Sequence, residues 1–469
     1  KEADESTQVR RNRCLTPFVL FVGMVMYAVT GLKNLQHAFG DVLVELHPNH
    51  SSSTVSKGSL TPARRRLPLE VLRQGHQTLL HFAQQCPSHK FLGKWQILCI
   101  DGTTFSVADS LKNELAFGRP KASRGKTGYP RLRSVLVMDA SNHLFIDEAH
   151  GHSNTTSEVS LSHQLLERIA KPGVLLEADR NFYSYARACQ LLSSGCDFLF
   201  RIKQGLYTPV VRELSDGSYL TVLFRTKMTN KETCKKVLLK ELSQLSTEEL
   251  LVRAEQEKQA LQKGGTRKLP KSLLLRVVEY SLTGEEQLPG IESVNRPIKL
   301  LCSVVKSEEL PATEAANGYQ LRWKEEVGIR ELKWLCDTFR TPHLPGKTPE
   351  SVEQEYAALL LAHSGLRVMM MMAAEKNGSD PRGLSLSGAK TVVLRHARKF
   401  ASVNDKEKEA WLEQLFAEIR RHKLSPPKKR VCPRAVKVKM SKYGSKARSE
   451  LPASQSINRE PIIVVPRAK

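Results

Sequence analysis

Two short apolar runs that each lead into an aspartate constrain the fold of this chain most. The first is residues 96–100, QILCI, followed by Asp101, Gly102, Thr103 and Thr104. The second begins at Gly173 and ends in Glu177, Ala178 and Asp179. Apolar runs this short, bounded by turn residues, read as buried strands. Residues 132–138, 144–146 and 198–202 read as further strands. Helices are expected from the capping-box pattern Thr155-x-x-Glu158 to about 170, and over 183–192. Three strands followed by alternating helix and strand make a mixed α/β sheet. Asp101 and Asp179 then fall just past the C-terminal ends of strands, where open α/β sheets gather ligands.

The rest of the chain divides by pattern. Residues 1–90 read as an N-terminal helical domain. Within it, 15–32 is strongly apolar, but Pro17 and Gly23 interrupt it and polar Asn34, Gln36 and His37 follow, so a buried helix is expected and no membrane partner. SLTPARRRLPLEVLRQ then suggests two short helices carrying Arg64, Arg65 and Arg66, either a DNA-binding helix pair or a solvated basic face. Residues 91–204 hold the first part of the sheet. An insertion over 205–310 carries strand-like runs at 219–224, 273–280 and 298–305 around a lysine-rich helical stretch at 246–263. Over 311–420 helices resume at about Gly318; Thr348 and Pro349 open one that carries Met369 to Met372, read as core.

Charge narrows the partners. The formal net charge is +24, and residues 421–469 alone hold 14 Lys or Arg against Glu450 and Glu460. This reads as a flexible basic tail that grips DNA phosphates without reading sequence. The nine cysteines form no CxxC pair, which fits a reducing compartment and argues against structural zinc. No GxxxxGK loop is present, so no nucleotide cofactor is expected. His150 and His152 lack a third ligand at metal spacing and read as surface residues; Asp109, Asp139 and Glu158 are further carboxylates near the sheet, Glu158 reading either as a helix cap or as a supporting active-site residue.

The stretch GYQLRWKEEVGIRELKW carries the chemistry. Arg322, Glu326 and Lys333 lie 3, 7 and 14 positions beyond Tyr319. At about 100° per residue these offsets put all four within about 60° of one helical face. A tyrosine, two cations and a carboxylate in one stripe can hold a metal ion and a phosphate together.

The spacing Tyr-x2-Arg-x3-Glu-x6-Lys resembles the YREK signature of bacterial DDE transposases of the family named for insertion sequence four. IDGTTFSV, with Asp101, is similar to the family's first catalytic block, and FGRPKASRGKTGYPRLRSVLVMD to the segment after it. LLEADRNFYS, with Asp179, resembles the second block, and TPESVEQEYAALLLAH the helix after the third. The likeness spans roughly residues 10–440. It implies a ribonuclease H-like mixed-sheet core with a β-rich insertion and an N-terminal helical DNA-binding domain. It implies two Mg²⁺ or Mn²⁺ ions held by Asp101, Asp179 and Glu326 as catalytic carboxylates, with Tyr319, Arg322 and Lys333 on DNA. Hard divalent ions prefer oxygen ligands and can serve both sides of an in-line phosphoryl displacement.

The resemblance further implies cut-and-paste excision and integration of an insertion sequence. Double-stranded DNA is then the partner, as terminal inverted repeats and as target, with a homodimer in the DNA complex. The setting is the bacterial cytoplasm, at the nucleoid. The alternative is a catalytically inactive or domesticated relative that only binds DNA. Three features depart from the family pattern. No tryptophan lies in the insertion, where relatives stack a flipped base, leaving Tyr207, Tyr219, Phe224 and Tyr280; Pro345 stands where arginine is usual; Asn181 replaces glycine.

Overall fold

The computed structural model describes residues 14–47, 55–86, 90–122, 125–126, 128–203, 205–225, 232–264, 269–283, 297–336, 343–400, 403–425 and 462–464. Most of the expected basic tail therefore lies outside the described residues. The chain groups into two compact units, Lys1–Phe182 with Gln320–Leu424 and Tyr183–Tyr319 with Ser425–Lys469.

In the first unit the apolar N-terminal stretch becomes two helices. Thr16 caps α1 (Pro17–Val29), its hydroxyl accepting from the Val19 amide at 3.3 Å, and Pro17 occupies the first turn. Asn34 caps α2 (Leu35–Leu46) by accepting from the His37 amide. Polar Asn34 therefore punctuates two helices that bury their apolar faces. Two more follow, α3 (Lys57–Arg65) and α4 (Leu69–Gln85), the latter entered through Pro68.

The sheet of this unit begins with β1 (Gln96–Val107). After it come α5 (Leu111–Phe117), a small hairpin of β2 (Lys121–Ala122) and β3 (Gly125–Lys126), β4 (Arg131–Asp139), β5 (Leu144–His152), α6 (Glu158–Ile169) and β6 (Val174–Ala178). The strand order is β5-β4-β1-β6. β4 runs antiparallel to both β5 and β1, and β6 runs parallel to β1. Two expectations need correction. β1 does not stop at Ile100, because TTFSV alternates buried and half-buried side chains and stays paired with β4 as far as Ser106. Asp101 thus lies within a strand. The cap of α6 is Ser157, which forms a capping box with Ser160, so Glu158 takes no part in the box.

The second unit contains α7 (Tyr185–Ser193), β7 (Asp197–Arg201), β8 (Val210–Glu213), β9 (Tyr219–Phe224), α8 (Glu232–Gln244), α9 (Thr247–Gly264), β10 (Ser272–Thr283) and β11 (Ile298–Cys302). Its strands are antiparallel in the order β7-β11-β10-β9-β8. The insertion is more helical than expected: Leu242 of α8 and Leu250 and Ala254 of α9 cover Leu220, Val222 and Leu274 of the sheet. Arg276 is fully buried, pairs with Asp216, and donates to Ser218 Oγ at 2.7 Å and to the Leu310 carbonyl at 2.6 Å. Asp216 also accepts from the Ala312 amide at 2.8 Å. That bond anchors the start of α10 (Ala312–Cys336), a turn and a half earlier than Gly318.

Downstream, β12 (His343–Leu344) pairs parallel with β1 at Ser106 and Val107. α11 (Pro349–Glu375), α12 (Leu386–Phe400) and α13 (Lys408–Arg421) complete the first unit, and β13 (Ile462–Val464) pairs with β10 in the second. α11 packs with α1, α2 and α4 and against Phe105, Leu132, Leu136 and Phe145 of the sheet in one continuous core. It alone among the described helices is long and apolar enough to cross a membrane, but 78% of its most apolar stretch is buried inside the protein, as in a core helix. Met370 is fully buried and Met369 and Met372 pack against the same core, as expected.

Candidate active site

The site grows from an interruption in the edge of β1. β6 leaves after the pair Ile100↔Ala178, and β12 joins only at Ser106↔His343. Asp101 and Asp179 are the next residues of the parallel register on their two chains, Asp101 still in β1 and Asp179 one residue past β6. One strand-end aspartate is thus found as expected, and the other stands beside the same end from within the neighbouring strand.

Helix α10 brings the third carboxylate. It approaches the sheet closely at Gly328, where a Cβ would lie 2.6 Å from Met138 Sδ. Met138 pairs with Cys99, so α10 covers the face of β1 to which the alternation also assigns Asp101. Arg322 is nearly buried. It places Nη1 3.7 Å from Asp101 Oδ2 and Nη2 3.7 Å from Glu326 Oε1. The guanidinium therefore bridges two of the three expected carboxylates. Asp101 Oδ1 accepts from the Gly102 amide at 2.7 Å. Burial raises the Asp101 pKa, as do the charges of Glu158 and Glu326, whereas the Gly102 amide and Arg322 favour the ionised form. Lys333 is half-buried, and burial lowers its pKa against the opposing pull of Asp101.

A further carboxyl, this one buried, went unread in the sequence. Glu177 is fully buried and accepts from the Cys99 thiol at 3.7 Å. Burial pushes its pKa well above the usual carboxylate range, with the Cys99 thiol and the Arg322 charge acting in the opposite sense. Strand alternation puts Glu177 on the face of Asp179, which is the one signal that could have found it.

The remaining sequence candidates separate. Tyr319 belongs to the second unit and is buried at 2% exposure. Arg65 is exposed on α3. Arg64 is placed otherwise than a DNA contact requires: it is buried, with Nη1 3.1 Å from Glu355 Oε1, Nε 3.2 Å from Gln354 Oε1 and Nη2 2.9 Å from the Ser351 carbonyl. Its donors are used inside the protein, pinning α3 to α11. His150 is not a surface residue either. It sits between Glu148 at 2.9 Å and Glu353 at 3.9 Å. His152 Nδ1 accepts from the Asn154 and Thr155 amides. Asp109 pairs with Arg119, and Asp139 accepts from Gln96 and Ser141. Of the insertion aromatics, Tyr280 is buried, Tyr219 donates to Glu279 at 2.7 Å, and Tyr207 is exposed with Lys235 5.7 Å from its ring and 5.5 Å from that of Phe224.

Among the described residues no three His, Cys, Asp or Glu side chains are already gathered at ligand distance. The donor set nevertheless suits a hard divalent cation. Asp101 and Glu326 offer carboxylate oxygens to a shared positive charge, which Arg322 supplies here, and Asp179 stands at the next register step.

The family model described as the transposase DDE domain matches residues 93–364. Over 395 residues the chain is 25% identical to the transposase InsG for insertion sequence element IS4 of Escherichia coli (strain K12), a match that covers 83% of this chain and 78% of that protein. Among solved structures, the piggyBac transposase synaptic complex with hairpin DNA aligns over 85% of this chain and 76% of that chain, at 12% identity and a TM-score of 0.36. That likeness is too distant to carry weight. The family match spans more than half of the chain and contains Asp101, Asp179 and Glu326, and by it the chain belongs to the transposase DDE domain family, as a DDE transposase of the insertion-sequence-four type.

Proposed function

We propose that this protein catalyses cut-and-paste excision and integration of an insertion sequence, by metal-dependent DNA strand cleavage and strand transfer on a ribonuclease H-like core. The observation that carries the reading is the convergence of Asp101 and Glu326 on Arg322 beside the register step of Asp179. Asp101, Asp179 and Glu326 would hold two Mg²⁺ or Mn²⁺ ions. Bound there, such ions supply activation of the attacking oxygen and charge stabilisation at the leaving oxygen.

The chain's own residues do the positioning. Gly102 orients the Asp101 carboxylate through its amide, and the close approach at Gly328 seats α10 so that Glu326 meets Asp101. Arg322 neutralises both carboxylates in the DNA-free protein and, once released from them, can grip a phosphate with two donors. Lys333 adds a point charge to the same region. Tyr319 lies on the same helical stripe, and Arg65 offers an exposed cation on α3 for non-specific phosphate contact. The partner is double-stranded DNA, as terminal inverted repeats and target, handled by a homodimer at the bacterial nucleoid.

Labelled DNA carrying the element's own ends tests the reading. Nicking at the ends in Mg²⁺ and none in EDTA is expected. Tight binding without a cut under either condition would instead describe a DNA-binding relic.

A further inference from the structure

Glu158 occupies a position that helix formation does not explain. Ser157 and Ser160 satisfy the first turn of α6 between themselves, so the cap needs nothing from Glu158. Its carboxylate lies against the backbone of Gly102 instead. A Cβ at residue 102 would stand 2.4 Å from Glu158 Cδ and 2.7 Å from Oε1, so only glycine admits the carboxylate there. The amide of this same glycine binds Asp101 Oδ1 at 2.7 Å. Asp101 and Glu158 therefore flank one residue, and the Glu158 charge is among those that Asp101 feels.

An acidic residue in the first turn of a helix is ordinarily explained by the helix dipole. That explanation asks for nothing at residue 102 and leaves the carboxylate in solvent. Here it is half-buried, and among the described residues it makes no hydrogen bond or ion pair. Asp101 thus faces two like charges, Glu158 across Gly102 and Glu326 across Arg322. Like charges packed this way raise one another's pKa unless a cation joins them.

We infer that Glu158 is a fourth carboxylate of the catalytic centre, a positioning residue whose carboxylate, seated in the space that Gly102 leaves open, helps hold a divalent cation beside Asp101. The inference rests on the proposal that Asp101 holds such a cation. It adds a role for α6, outside the three-carboxylate set.

Mn²⁺ titration of the full-length, DNA-free protein, followed by electron paramagnetic resonance, tests it without reference to activity. Glu158→Gln should weaken Mn²⁺ binding by about 10-fold or more, with the circular dichroism spectrum and melting temperature retained. Glu158→Asp should fall between the two. Gly102→Ala, which keeps Glu158 but displaces it, should reproduce the loss and decides the matter if Glu158→Gln fails to fold. Glu167→Gln, an exposed carboxylate on the same helix, should bind as wild type. Wild-type affinity in Glu158→Gln and Gly102→Ala, alongside weakened binding in Asp101→Asn, would overturn this inference alone. Unchanged binding in Asp101→Asn would overturn the metal reading of Asp101 and this inference with it.

Discussion

The Arg322 guanidinium stands 3.7 Å from the Asp101 carboxylate, and its other terminal nitrogen is the same distance from Glu326. A nearly buried cation thus holds together two carboxylates that would otherwise repel. Its removal makes the carboxylates dependent on another cation. Arg322→Gln is expected to lose roughly 1 kcal/mol in EDTA, a modest figure because Glu326 is partly exposed. Added Mg²⁺ should recover more stability in the variant than in the wild type. Melting temperatures with and without Mg²⁺ check this; an equal metal response in both proteins would speak against a shared site.

Arg64 and Arg65 are neighbours in opposite surroundings, the first buried and the second exposed. Arg64→Ala leaves Glu355 buried without its cation and should cost about 3–5 kcal/mol. Arg65→Ala should leave stability within about 0.5 kcal/mol. The same exposed change should weaken DNA binding and reduce the salt slope of the affinity by about 1. Denaturant unfolding and DNA-binding titrations across salt concentrations separate the two. Equal destabilisation by both substitutions would contradict the assignment.

His150 should make stability depend on pH. Burial acts to lower its pKa, but hydrogen bonds and charge from Glu148 and Glu353 prevail and raise it from 6.5 to about 9. A pKa raised on folding means stability is fully present below about pH 6.5 and is lost as pH rises through about 9. The alkaline decline should be shallower in His150→Gln. Thermal unfolding of both proteins between those limits checks it, and superimposable pH profiles would remove the His150 contribution.

Gly328 sets how closely α10 lies on the sheet. A Cβ there would meet Met138 Sδ at 2.6 Å. Gly328→Ala should cost about 1–3 kcal/mol through overpacking and lower the DNA-cleavage rate by displacing Glu326. Met138→Ala in the same chain should return part of both. A double-mutant cycle measures the coupling; simple additivity would mean that this contact does not seat the helix.

What the sequence disclosed followed the range of the interactions involved. Asp179 was legible because a short apolar run ends one residue before it. The helical stripe of Arg322, Glu326 and Lys333 was legible because it needs only local periodicity. Asp101 was misplaced relative to its strand because DGTT has turn composition, while the pairing of β1 with β4 that carries the strand on is not local. Arg64 could not be resolved because its partners lie 287 to 291 residues away. Glu158 fitted both a helix cap and a supporting active-site role, and only the structure shows that the serines fulfil the cap instead. Glu177 was hidden because a charged residue in a strand is ordinarily assigned to solvent, and only the tertiary cover over β6 buries it.

The central claim is that Asp101, Asp179 and Glu326 act as one catalytic set on DNA. Single-turnover nicking of end-bearing DNA in Mg²⁺ should be measured for Asp101→Asn, Asp179→Asn and Glu326→Gln, with DNA affinity determined in parallel. Each substitution is expected to slow nicking on the order of 10³-fold or more while affinity stays within a few-fold. Wild-type nicking in any one of the three, at unchanged affinity, would contradict the account.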